Sequence, residues 1–134
     1  MNSENSAVAG LIRLRSPHSV AETFARLESL LQQRGVMIFA RIDFSGDAAR
    51  AGLEMPAERL LIFGNPKGGT PLMQSAPSVG IDLPLKALIY QAADGGTTIA
   101  YNDPRYITER HGLPAALAAN LVAVVPLIEQ AAAA

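Results

Sequence analysis

The chain has 134 residues, a net charge of −1 and a sequence pI near 6.1. That is enough for one domain with its own core, and it lacks the dense positive field that would hold a nucleic acid. It contains no Cys, which excludes thiolate nucleophiles, thiolate metal sites and disulfides together. Residues 1–10 carry neither a basic start nor the apolar run of a signal peptide, and no apolar stretch reaches membrane length. A cytoplasmic protein with no membrane and no nucleic-acid partner is expected, with residues 1–10 frayed and a single domain over 11–134.

Leu11–Ser16 alternates apolar residues with Arg13 and Arg15, the pattern of a strand with one wet face. Ser19 followed by Glu22 is a capping box, and Val20, Phe24, Leu27 and Leu31 then share one helical face up to Gly35. Val36–Ile42 is apolar and β-branched enough for a second strand, buried on both faces. A short helix over Ala48–Ala51, closed at Gly52, and a third strand over Arg59–Phe63 follow.

Thr70 is the expected cap of the next helix, with Pro71 at its first position and Pro77 beyond its end. Lys86–Gln91 and Thr97–Tyr101 flank Asp94-Gly95-Gly96 and read as a hairpin. Asp103-Pro104 opens a helix that Gly112 ends. Pro114 begins the last one, with Leu117, Leu121, Val124 and Ile128 in one stripe. Pro126 kinks or shortens it, and the Ala131–Ala134 tail frays. Strands gathered in the middle with helices to one side describe an α+β fold with a mainly antiparallel sheet.

Between Asp43 and Leu113 the sequence resembles the bacterial family called domain of unknown function 302. The likeness is carried by Ile42-Asp43, Ala51-Gly52-Leu53, Leu61-Ile62-Phe63-Gly64-Asn65-Pro66-Lys67, Gly69-Thr70-Pro71-Leu72-Met73, Asp82-Leu83-Pro84-Leu85-Lys86, Tyr101-Asn102-Asp103-Pro104 and Arg110-His111. The resemblance implies a fold like one half of the TATA-binding protein, β-α-β(4)-α, with a curved sheet and helices on one face. It also implies a homodimer. It brings no biochemical activity with it. Members often show His directly after the Ile-Asp pair, whereas Phe44 stands here, so a histidine role at that point does not carry over.

Three sets of residues carry candidate chemistry. In the first, Leu60–Phe63 runs into a loop with Asn65, Lys67, Gly68, Gly69 and Thr70. The amides of Gly68, Gly69 and Thr70 beside the Lys67 ammonium would suit an anion, with Met73 and Lys86 nearby. The order of Lys and Gly is not that of a nucleotide P-loop, and the same residues also serve simply to turn the chain.

The second set is His111 with Asp43 or Asp82, an acid–base pair near neutrality. Against it stands a helix-end histidine complementing the macrodipole, and Lys86 pairing with Asp82. The third is metal or haem. His18 and His111 are the two histidines and no ligand-spaced cluster occurs, so no metal and no cofactor are expected. One axial haem ligand from His111, or a soft contact from Met73, is all that haem would find.

The leading expectation is a homodimeric, non-enzymatic protein that binds a small ligand, an anion in particular, at the Gly64–Met73 loop. The alternatives are a cofactor-free enzyme using His111, and a purely structural or interaction protein.

Overall fold

The structure is a computed structural model that describes residues 7–134. Its sheet has the strands β1 (Leu11–Ser16), β2 (Met37–Asp43), β3 (Glu58–Gly64), β4 (Leu85–Gln91) and β5 (Thr97–Asn102), in the order β1-β5-β4-β3-β2. Every neighbouring pair is antiparallel. β1 and β2 follow each other in the chain yet form opposite edges of the sheet. Helix α1 (Val20–Gln33) must therefore cross from one edge to the other, and it packs against β2, β3, β4 and β5 on the way.

The residues that α1 buries are Val20, Thr23, Phe24, Leu27 and Leu31, the spacing of one helical face. They meet Leu61, Phe63, Ala87, Ile89 and Ile99 from alternate positions of the central strands. Burying each such Leu or Phe contributes about 1.5–3 kcal/mol. Ser19 caps the helix by accepting from the Glu22 N–H at 3.1 Å. Inside the same layer the hydroxyls of Ser16 and Thr23 satisfy each other at 2.7 Å.

The remaining helices are α2 (Phe44–Arg50), α3 (Pro66–Ser75), α4 (Pro104–Arg110), α5 (Ala119–Val122) and α6 (Val125–Ala131), with 3-10 turns at Pro77–Ile81 and Ala115–Ala118. Pro114 and Pro126 lie in a segment broken into three short pieces, as a missing amide donor requires. α6 packs on α1.

Several sequence expectations are corrected. β2 is an edge strand with Met37 and Phe39 about half exposed, not a strand buried on both faces. α2 begins at Phe44 because Asp43 caps it, accepting from the Gly46 N–H at 3.0 Å. α3 begins at Pro66 and not at Pro71: Asn65 Oδ1 accepts from the Lys67 N–H at 3.0 Å, which leaves Thr70 and Pro71 inside the helix.

The C-terminal tail is held rather than frayed. Arg26 donates to the carbonyls of Gln130, Ala131 and Ala133, and His18 Nε2 lies 2.8 Å from the Ala133 carbonyl. Of the expected frayed N-terminus, residues 1–6 lie outside the described residues, while the Gly10 carbonyl accepts from the Asp103 N–H at 2.7 Å.

Candidate functional site

Where α3, the ends of β2 and β3 and the C-terminal helices meet, they leave a cavity of about 730 Å³, inside the range of small-molecule sites. Its walls come from five parts of the chain. The exit of α1 supplies Arg34 and Val36, and β2 supplies Phe39. The β3–α3 junction supplies Gly64, Asn65, Gly68, Gly69, Thr70 and Met73. The cis Leu83–Pro84 turn forms another side, and Asn120, Leu121, Val124, Leu127 and Gln130 close the last one.

Two local features open this space. A bulge in β2 makes Phe39 the extra residue between the Ile38–Phe63 and Ala40–Ile62 pairs, which re-aims its ring. The second is the pair of glycines in α3. A Cβ on Gly68 would stand 2.7 Å from the Asn120 carbonyl oxygen, so a bare backbone is what lets α3 approach the C-terminal segment. A Cβ on Gly69 would meet only Leu83 Cδ1 at 3.7 Å and Met73 Cε at 3.9 Å.

Asn65, Gly68, Gly69, Thr70 and Met73, singled out from sequence, line this cavity; Lys67 and Lys86 do not. The expected anion nest is not formed as drawn. The Gly68 and Gly69 amides both donate to the Asn65 carbonyl, at 2.9 and 3.0 Å, because they belong to the first turn of α3. Lys67 is exposed on the same turn, outside the cavity wall. The cation that does line the cavity is Arg34, which the sequence reading passed over. It follows a good helix and precedes a glycine, and nothing local marks such a residue as more than a helix end.

A second cluster lies around the turn that leads into β4. His111, at the end of α4, places Nε2 2.5 Å from Asp82 Oδ2 and Nδ1 2.8 Å from the Ser78 hydroxyl. Arg110 donates to both Asp82 oxygens at 2.9 and 2.8 Å. Burial pushes the Asp82 carboxyl up, but the hydrogen bonds from His111 and Arg110 outweigh it and hold the group below the usual carboxylate range. An ionised Asp82 accepts only, so a neutral His111 keeps its proton on Nε2 and accepts a hydrogen bond from the Ser78 hydroxyl at Nδ1. Both ring nitrogens are thus hydrogen-bonded within the protein.

Asp43 plays no part in this cluster. Its carboxylate accepts from the Gly46 amide and the Ser45 hydroxyl, and these bonds hold it below the ordinary value. Lys86 does not pair with Asp82 either; its Nζ donates to the Pro84 carbonyl at 2.9 Å. Asp82 and Lys86 instead share the wall of a recess of about 10 Å³ with Tyr101 and Asn102, room for about one water. Burial, with Glu129 and Asp103 behind it, pushes the Tyr101 phenol up.

The sheet face away from α1 presents Leu60, Leu88 and Ala100 with Arg13, Glu58 and Lys86 in an open trough of about 510 Å³. Among the described residues no group of three or more His, Asp or Glu could hold a metal ion, and no helix is long and apolar enough to cross a membrane.

The profile of the family described as "Domain of unknown function DUF302" matches residues 12–131. The chain belongs to the DUF302 family. The crystal structure of an uncharacterized conserved DUF302 protein from Bacillus stearothermophilus superposes with a TM-score of 0.76, covering 93% of this chain and 97% of that one at 21% identity. That is a likeness of fold.

Among curated proteins, the fluoride-specific ion channel FluC 1 of Brucella suis biovar 1 (strain 1330) is 41% identical over 105 residues, which are 78% of this chain and 41% of the channel protein. FluC 1 of Brucella abortus biovar 1 (strain 9-941) is 41% identical over the same length, with 39% of that protein covered. This DUF302 chain therefore spans about two fifths of the length of the curated relatives it matches.

Proposed function

We propose that this DUF302 protein is a homodimeric, cytoplasmic binding protein for a small, largely apolar ligand, held in the cavity between α3 and the C-terminal helices. The observation that carries the reading is the cavity itself. It is about 730 Å³, walled by Val36, Phe39, Met73, Leu83, Leu121 and Val124, and kept open by a helix built on glycine. Apolar walls with a few polar groups at the rim are the usual make-up of a ligand site. In the Brucella relatives a similar stretch is part of a longer protein named as a fluoride channel. That favours a module that binds and responds within a larger system. The homodimer is supported by the open trough on the sheet face away from α1, where Leu60, Leu88 and Ala100 lie among charged residues.

Gly69→Leu tests the ligand reading, because its Cβ has room and its longer side chain intrudes into the cavity. The neutral fluorescent probe N-phenyl-1-naphthylamine should bind the native protein and lose about tenfold or more in affinity in the variant. No binding to the native protein, or unchanged binding in the variant, overturns it.

A second reading is favoured by one observation, the hydroxyl–imidazole–carboxylate order of Ser78, His111 and Asp82. In it, His111 acts as base on Ser78 in a cofactor-free hydrolysis. It requires p-nitrophenyl acetate turnover with a neutral inflection in pH that disappears in both Ser78→Ala and His111→Asn. Neither Ser78 nor His111 lines any of the cavities described above, which is why the binding reading is preferred.

A further inference from the structure

The walls of the large cavity carry one formal charge. Arg34 stands among the lining residues, and no Asp or Glu does. Its guanidinium makes no ion pair or hydrogen bond among the described residues, unlike Arg15, Arg41, Arg50 and Arg110, each paired with a carboxylate. An arginine with five donors and no partner, at the edge of an apolar space, is matched by a planar anion that accepts two bonds at once.

Some further lining side chains are polar. Thr70 and Asn120, both exposed, line the cavity with no side-chain hydrogen bond among the described residues. The Gly68 and Gly69 amides, by contrast, are already bonded to the Asn65 carbonyl, so the backbone does not offer a cradle for a bare inorganic anion. A free phosphate or halide would find one exposed cation, and an exposed ion pair is worth little in water. The same cation joined to burial of a hydrocarbon tail, at about 0.8 kcal/mol for each methylene, is a different matter. A cationic amphiphile would meet Arg34 with its own charge and find no acid in the wall. Phe39 is the one aromatic side chain on the lining, too little for a nucleobase sandwich.

Resting on the ligand-binding reading above, we infer that the cavity takes a single-tailed amphiphile with one carboxylate head, the tail between Phe39, Met73, Leu83 and Leu121 and the head on Arg34.

The experiment compares three ten-carbon probes, decanoate, decanol and decyltrimethylammonium, by titration calorimetry with the native protein and with Arg34→Gln. Decanoate should bind the native protein about tenfold more tightly than decanol, with decyltrimethylammonium weakest. In Arg34→Gln decanoate and decanol should converge while decanol itself is unchanged. Equal binding of decanoate and decanol to the native protein, or a decanoate preference that survives Arg34→Gln, overturns the carboxylate inference and leaves the ligand-binding reading standing. Failure of all three probes to bind overturns both. Inorganic phosphate binding as tightly as decanoate would also overturn the inference, because it would show a head-group site with no role for the tail.

Discussion

The carboxylate of Asp82 accepts a hydrogen bond from His111 Nε2 at 2.5 Å, joining two residues 29 positions apart in the chain. With Arg110 on both oxygens of the same group, the contact fastens the end of α4 to the turn that leads into β4. Asp82→Asn keeps the shape and removes the charge. The expected cost is about 1–3 kcal/mol, from hydrogen bonds made to a charged group, read as a lower urea midpoint and a Tm several degrees down. Asp82 is held below its ordinary value when folded, so its contribution is present in full above the unfolded carboxylate range and is lost as pH falls through the lower, folded value. The variant should therefore show a shallower loss of stability on the acid side than the native protein. Identical acid limbs would mean that this contact contributes nothing to folding.

The two glycines of α3 should respond to alanine with opposite signs. In an exposed helix either change gains about 0.5–1 kcal/mol from reduced backbone entropy. At Gly69 the added methyl has ordinary contacts, so Gly69→Ala should gain about that much. At Gly68 the same methyl lies 2.7 Å from the Asn120 carbonyl oxygen, a backbone atom with little freedom to give way. Gly68→Ala should lose about 1–3 kcal/mol through forced displacement. Urea unfolding of the two variants side by side decides the matter; equal shifts would show that α3 does not press on the C-terminal segment.

The uncovered sheet face is where the proposed dimer is to be tested. Leu88 sits on the central strand β4, with Leu60 opposite it on β3 and Ala100 opposite it on β5. A stable dimer covers about 600–1,000 Å² on each partner, and a carboxylate at the middle of such a patch must be stripped of water on association. Leu88→Asp should convert the dimer to a folded monomer, seen by sedimentation equilibrium with the far-ultraviolet circular dichroism unchanged. A native protein that sediments as a monomer removes the proposal.

How much of this was legible before the fold was known differs from element to element. The Ser19–Glu22 box and the apolar face of α1 announced a helix that is there, because both cues are local and act within one turn. Asp103 before Pro104 likewise caps α4, accepting from the Arg105 N–H at 3.0 Å. The start of α3 misled: Thr-Pro is the stronger local signal, yet Asn65 caps the helix and the glycine pair lies inside it. Glycines disfavour a helix, and at Gly68 only the close approach of the distant Asn120 backbone accounts for one.

The sequence by itself determined the class of the fold, the helix faces and the family, since periodicity, caps and spaced motifs are written in neighbouring residues. Only the tertiary structure decided which groups share a space. Arg34 and Asn120 line the same large cavity, His111 meets Asp82 and not Asp43, and the Gly68 amide is bound within its own helix. Such pairings depend on how α1 crosses the sheet and where the C-terminal helices come to rest, which no short stretch of chain encodes.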